Sequence, residues 1–274
     1  MVFVYGHGIP TRQSVEDEDI FPVTVYFRVT DRSIPDFEAS LTEVTNAQFA
    51  AFLMATGRGS DSWFDTYGAE RGDFPARGMC KDDATAYVRW LSFTARQSGR
   101  IKSNQQYQLP TDLQFTALAG GQPSLELKDG TPEMRMVQAA PTGIYLTGTT
   151  QLPDPTEGNT LRLETPRPGA EPPAGLPGND GYAGVAPVGL FKSKSHVVYD
   201  LAGNVEEYIR DSYNPAHPVC VRGGSYESRD MYTFAMSHRN GFPDKKAGLP
   251  ARGFRIVLET LDAKGTLTSV LGAN

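Results

Sequence analysis

Half of the prolines in this chain fall in one stretch. Ten of the 20 lie between Gly121 and Pro177, and the chain also carries 28 glycines. Proline removes a backbone donor and fixes φ, so it ends helices and central strands; glycine weakens both. Neither a helix bundle nor a doubly wound sheet tolerates such a run in its middle. Yet 39% of the 274 residues are hydrophobic and 10% aromatic. A chain of this length and composition can bury a core and is not disordered throughout. The expectation is a loop-rich globular domain with few long elements. A structureless insert of this length is usually functional, disordered or held by a ligand, and pinning by a bound ligand is the reading favoured here.

The charge balance narrows the partners. With 26 basic and 32 acidic residues the net charge is −6, which disfavours a general binder of nucleic acid. No apolar run approaches the roughly 18 residues of a membrane span. Two cysteines, Cys80 and Cys220, exclude a dense disulfide framework and leave either one bridge or two buried thiols. Met1–Val4 already reads as a strand, so a leader is expected to have been removed, and a periplasmic or secreted location is expected, with the cytoplasm left open.

Regular elements are expected at both ends of the chain. Alternation through Phe21–Val29 predicts strands within residues 1–40. Thr45 is an N-cap for a helix burying Phe49, Phe52 and Leu53 and stopped by Gly57. Residues 58–78 read as a loop. Asp82 caps a second helix, with Ala84, Tyr87, Val88, Leu91 and Ala95 on one face and Lys81, Asp83, Arg89 and Arg96 on a solvated one. Tyr107–Asp112 reads as a short strand, a proline stop and an N-cap for a third helix reaching about Ala119. Segments 183–191 and 196–201 have strand character, 227–252 is irregular, and Gly253–Leu258 is a closing strand. The domain is placed at residues 1–259, followed by a polar tail at 260–274.

Several catalytic patterns are absent. His7, His196, His217 and His238 make no H-x-x-x-H or HExxH spacing, and there is no G-x-S-x-G elbow and no G-x-x-x-x-G-K-[ST] loop. What remains is rich in oxygen ligands. Asp200 and Glu207 bracket a Gly-containing turn, and Asn159-Thr160 with Asp180-Gly181-Tyr182 offers an amide, a carboxylate and carbonyls. Such sets suit a hard cation like Ca²⁺, although Asp and Asn beside Gly also serve as plain turn residues.

One ordered set of segments carries more. They are Thr42–Phe49 (TEVTNAQF), Asp82–Tyr87 (DDATAY), Tyr107–Asp112 (YQLPTD), Asp180–Tyr182 (DGY) with Ala186–Gly189 (APVG), Tyr199–Glu207 (YDLAGNVEE), Arg222–Tyr226 (RGGSY) and Gly253–Arg255 (GFR). In this order they resemble the formylglycine-generating-enzyme, or sulfatase-modifying-factor, family over almost the whole chain. The resemblance implies an α+β domain with a C-type-lectin-like fold, low regular secondary structure and long loops organised by calcium. Carried over by position, one calcium site would use Asn159, Thr160, Asp180 and Tyr182. The other would use Asp200, Gly203, Val205 and Glu207.

The departures bear on activity. Family enzymes hold copper on two cysteines after the RGGS-[WY] strand, and those positions here are Ser228 and Thr233. A hydroxyl does not replace a soft thiolate for Cu(I). The motif usually ending Trp-Glu-Trp reads Glu206-Glu207-Tyr208, which loses the aromatic surface of a peptide groove. The histidine pattern of the related sulfoxide synthases is missing too. The expectation is a pseudoenzyme: a non-catalytic, calcium-stabilised protein-binding or regulatory module, resembling the periplasmic regulator of type VI secretion signalling. Tyr232, Arg239 and Phe242, with Tyr226 and Phe234 leaning toward the core, are the candidate partner contacts. The alternatives are a retroelement-diversified ligand-binding variable protein, disfavoured by the scarcity of Asn and Tyr in 227–252, and a divergent metal-dependent oxidoreductase.

Overall fold

The structure is a computed structural model that describes residues 20–27, 34–58, 60–68, 70–121, 144–154, 156–160, 180–193, 198–228 and 231–261. Met1–Val4, His7, His196, most of the proline-rich stretch and residues 262–274 lie outside these. Two four-stranded sheets form the frame. The first has the order β1 (Thr24–Phe27), β2 (Phe37–Ser40), β8 (Val257–Thr260), β3 (Gln105–Gln108), antiparallel throughout. The second has the order β6 (Asn240–Phe242), β5 (Val219–Arg222), β4 (Glu206–Ile209), β7 (Arg252–Gly253), with β4 and β7 parallel. The closing segment thus supplies strands to both sheets, β7 to one and β8 to the other, and ties them together.

The helices pack where their apolar spacing directs. In α1 (Asn46–Thr56) Thr45 accepts from Gln48 N–H while Gln48 Oε1 accepts from Thr45 N–H, and Gly57 ends the helix at φ 65°. Phe49 and Phe52 meet Tyr87 of α3 (Lys81–Gln97) at ring-centroid distances of 6.0 and 5.7 Å, and Phe254 closes the group. Thr111 and Gln114 form the same reciprocal cap on α4 (Asp112–Leu118).

Four expectations need correction. Residues 58–78 are not all loop: α2 (Ser60–Tyr67) lies there, seating Trp63 and Tyr67 in the core, with Trp63 Nε1 donating to Arg77 O at 2.9 Å. Its few apolar residues fall one helical turn apart, too short a pattern to register. The second helix begins one residue before Asp82, at Lys81, with Cys80 as its N-cap residue; Asp82 and Asp83 sit in the first turn, where carboxylates favour the positive end of the helix dipole. Lys81 is not solvated. It is buried, and Nζ donates to the carbonyls of Arg210, Asp211 and Pro218, each at 3.1 Å. Segments 183–191 and 198–201 form no strand among the described residues, only a bridge from Lys192 to Tyr199, because their polar groups are spent on loop contacts. Cys80 and Cys220 are both buried free thiols. Among the described residues no helix is long and apolar enough to cross a membrane.

Candidate functional site

Four loops converge on one buried asparagine. Asn204 is fully buried at φ 59°, a left-handed conformation that asparagine tolerates better than most residues. Its Nδ2 donates to Glu43 Oε1 at 3.1 Å and Ala186 O at 3.3 Å, and its Oδ1 accepts from Ala186 N–H at 2.9 Å and Asn159 Nδ2 at 3.3 Å. Its backbone N–H donates to Asn159 O and its carbonyl accepts from Tyr226 N–H. Gly203 beside it has φ 91°, and a Cβ there would stand 1.9 Å from Asn159 O. The segments carrying Asn159, Ala186, Asn204 and Tyr226 are therefore locked side by side without a sheet.

The first expected cation site is assembled next to this hub. Asp180 Oδ2 accepts from Thr160 N–H at 3.0 Å and Oδ1 from Tyr182 N–H at 2.9 Å, which brings Asn159-Thr160 onto Asp180-Gly181-Tyr182 across the proline-rich stretch. Asn159 Nδ2 donates to Gly184 O at 2.9 Å, while its Oδ1 is buried with no hydrogen-bond partner. A buried amide oxygen left unpaired is costly, and a carboxylate oxygen accepts more than one bond. These groups fit a hard oxygen-seeking cation.

The second expected set is arranged differently. Asp200, at φ 59°, accepts from Gly189 N–H at 2.5 Å and Phe191 N–H at 3.1 Å. Both oxygens of Glu207 take the guanidinium of Arg255. Glu43 completes the group, and its Oε2 is buried without a hydrogen-bond partner. All three carboxylates are buried, and burial holds each above the ordinary carboxylate range. For Glu43 the nearby charges of Asp200 and Glu207 add to the effect, while Arg255 opposes it. Three buried carboxylates against one guanidinium leave excess negative charge, which a cation or protons must offset. The set fits a cation in charge, but Glu207 would have to share its oxygens with Arg255. Among the described residues no three His, Cys, Asp or Glu side chains gather to hold a metal by themselves, so a cation here must also draw on amide and carbonyl oxygens.

The expected copper positions contain hydroxyls, of which that of Ser228 is in structural use. Ser228 Oγ accepts from Ser225 N–H at 2.9 Å and closes a turn, and Thr233 lies in the 3₁₀ helix Met231–Phe234. Burial pushes the Cys80 thiol up to about 11, with the Asp83 carboxylate as its hydrogen-bond acceptor, and the Cys220 thiol up to about 12. Both thiols are protonated at neutral pH, unlike a metal-binding thiolate.

Residues 3–260 match the family described as the sulfatase-modifying factor enzyme 1-like domain. The chain belongs to this family. As a sulfatase-modifying factor-like domain it has the α+β, C-type-lectin-like architecture with low regular secondary structure. Its fold is similar to that of PvdO from Pseudomonas aeruginosa, at a TM-score of 0.50 and 20% identity over 81% of this chain and 80% of that one. It is also similar to CarF, at a TM-score of 0.53 and 17% identity over 88% and 95%. A sequence comparison with curated proteins finds no match.

The expected partner contacts divide. Tyr232 is exposed. Phe242 is half-buried under Arg252, whose guanidinium carbon lies 3.4 Å from the ring centroid and which pairs with Glu206. Arg239 is a correction: it is buried, with Nε on Asp112 Oδ1 at 2.8 Å and Nη2 on Oδ2 at 2.7 Å, so it cannot reach a partner. Arg222 meets the same carboxylate, donating to Asp112 Oδ1 at 3.2 Å and Thr116 Oγ1 at 2.7 Å, and burial pushes it down to about 9. Sequence reasoning missed Glu43, Asn204, Asp112 and Arg255 as buried polar hubs. All four stood inside the family motifs, yet a motif does not tell which side chain faces inward.

Proposed function

We propose that this domain is a pseudoenzyme: a non-catalytic, calcium-stabilised protein-binding or regulatory module. What supports the reading is the chemistry at the positions where the resemblance expects the family's thiols. Ser228 and Thr233 offer hydroxyls, the Ser228 oxygen is held in its turn by Ser225 N–H, and the two thiols of the chain are buried elsewhere and protonated. Cu(I) has no soft ligand pair there. Asn159, Thr160, Asp180 and Tyr182 would hold one calcium ion. Asp200, Gly203, Val205 and Glu207 would hold another. Bound calcium would offset buried negative charge and fix loops that no sheet orders.

Irregular loops on a fixed frame make a recognition surface. The setting that suits such a module is an exported, periplasmic regulator of the type VI secretion kind, acting through a protein partner. The long insert after Gln108–Thr111 supports it. The test is elemental analysis of the purified full chain, together with incubation with Cu(I), oxygen and a cysteine-containing peptide followed by mass spectrometry. Stoichiometric calcium without copper, and an unchanged cysteine peptide, are expected. Retained copper or conversion of the cysteine would overturn the reading.

A further inference from the structure

We propose that two pockets flanking the start of α3 form one recognition surface for an acidic peptide segment that carries an apolar anchor residue. This deepens the protein-binding reading above and rests on it. The first pocket, of about 320 Å³, has buried Phe49, Trp63 and Tyr67 in its floor and Arg58 and Lys246 on its rim. Arg58 Nε donates to Asp83 Oδ1 at 2.9 Å, and a guanidinium has four further N–H donors. An aromatic floor with a few polar groups at the mouth suits a single apolar side chain.

The second pocket, of about 350 Å³, is lined by Lys81, Arg89 and Lys245, with Asp82 as its acid. Arg210 also lines it but is matched by Glu259, through contacts of 2.9 and 2.6 Å. The local surface is thus cationic in a chain of net charge −6, which draws an acidic segment to this place while the rest of the molecule repels it. Lys81 contributes charge alone, because its three N–H groups are spent on the carbonyls of Arg210, Asp211 and Pro218; the exposed Arg89 and Lys245 supply the donors for a docked carboxylate.

Consecutive residues divide between the pockets. Cys80 and Asp83 line the first while Lys81 and Asp82 line the second, and Lys246 and Lys245 divide in the same way. The partition is therefore one turn of helix against the 245–248 loop. Asp82 N–H meets Lys245 O at 3.4 Å, and a Cβ on Gly248 would stand 2.1 Å from Gly78 O, so only glycine lets the loop lie this close. A helix with its side chains is about 10 Å across, a span of roughly three extended residues. One short segment can seat an apolar side chain on one side and carboxylates on the other.

The test uses the calcium-loaded full chain and a fluorescently labelled short peptide with one Phe among Asp and Glu residues, followed by anisotropy. Arg89 and Lys245 are exposed, so the R89E/K245E double variant is expected to keep the wild-type melting temperature while losing at least about tenfold in affinity. Replacing the peptide's acids by their amides, or its Phe by Ser, is expected to weaken binding comparably. The proposal is overturned if the acidic peptide does not bind, if acid and amide peptides bind alike, or if the double variant binds like wild type. It is also overturned if single-stranded DNA displaces the peptide and binds more tightly. Absent peptide binding with no turnover of a cysteine peptide removes this surface and leaves the non-catalytic reading standing; turnover removes that reading by itself.

Discussion

Arg255 and Glu207 face one another with both side chains fully buried, Nε to Oε2 at 2.6 Å and Nη2 to Oε1 at 2.7 Å. Arg255 Nη2 also donates to Tyr199 O at 2.9 Å, so one guanidinium links β4 to the loop that carries Asp200. Removing one partner of a buried pair strands the other. Arg255→Met is expected to cost about 3–5 kcal/mol, read as a fall in the urea midpoint. A loss under about 1 kcal/mol would show that the carboxylates there are already neutral.

The carboxylate group sets a pH dependence. Glu43, Asp200 and Glu207 are harder to ionise folded than unfolded, chiefly because they are buried. Above the ordinary carboxylate range, near about pH 4, the folded state therefore retains protons that the unfolded state has lost. Their contribution to stability is full below that range and declines as pH rises through the raised values. In chelator, thermal melts are expected to show this decline. Glu43→Gln keeps the acceptor for Asn204 and removes a charge, so it is expected to flatten the profile and to stabilise the calcium-free protein at neutral pH by on the order of 1–3 kcal/mol. Identical profiles for wild type and variant would refute the assignment.

Calcium removal probes the Asn159–Asp180 site. A ligand bound only to the folded state stabilises by about 2.7 kcal/mol at a hundredfold excess over Kd. For a domain of this size that is a melting shift on the order of 5 °C. Asp180→Asn is expected to lose part of the calcium response while matching wild type closely in chelator, since an amide oxygen can still accept from Thr160 N–H. An unchanged melting temperature on chelation of the wild type would sink the calcium proposal.

Gly203 tests the loop hub without touching a charge. Its φ is 91°, and any Cβ added there would come within 1.9 Å of Asn159 O, so a side chain has no room. Gly203→Ala is expected to cost about 3 kcal/mol or more and to weaken the calcium response, because it displaces the backbone of Asn159. Near-wild-type denaturation would mean that the two loops are not in contact.

Much of the frame was legible from local pattern. Thr45 with Gln48, Thr111 with Gln114 and the apolar face of α3 are short-range signals, and each element formed where its residues pointed. Helix α2 escaped because Trp63 and Tyr67 make only one turn of apolar spacing, which becomes a helix through burial against Phe49. The strand character assigned to 183–191 failed because Gly189 and Phe191 give their amides to Asp200 instead of to a neighbouring strand.

The candidate site divides along the same line. Residue order alone carried the family, the oxygen-rich turns at Asn159–Tyr182 and Asp200–Glu207, and the hydroxyls of Ser228 and Thr233 where the resemblance expects thiols, because all of these are read from chemical identities at fixed spacings. Closure of the chain in three dimensions was needed to bring Glu43 beside Asp200 and Glu207 around Arg255, to turn Arg239 inward to Asp112, and to bury Lys81 among three carbonyls. Those outcomes depend on which charges share a low-dielectric interior. Partners far apart in sequence, such as Glu43 with Glu207 or Asp112 with Arg239, meet only when the chain has closed around them.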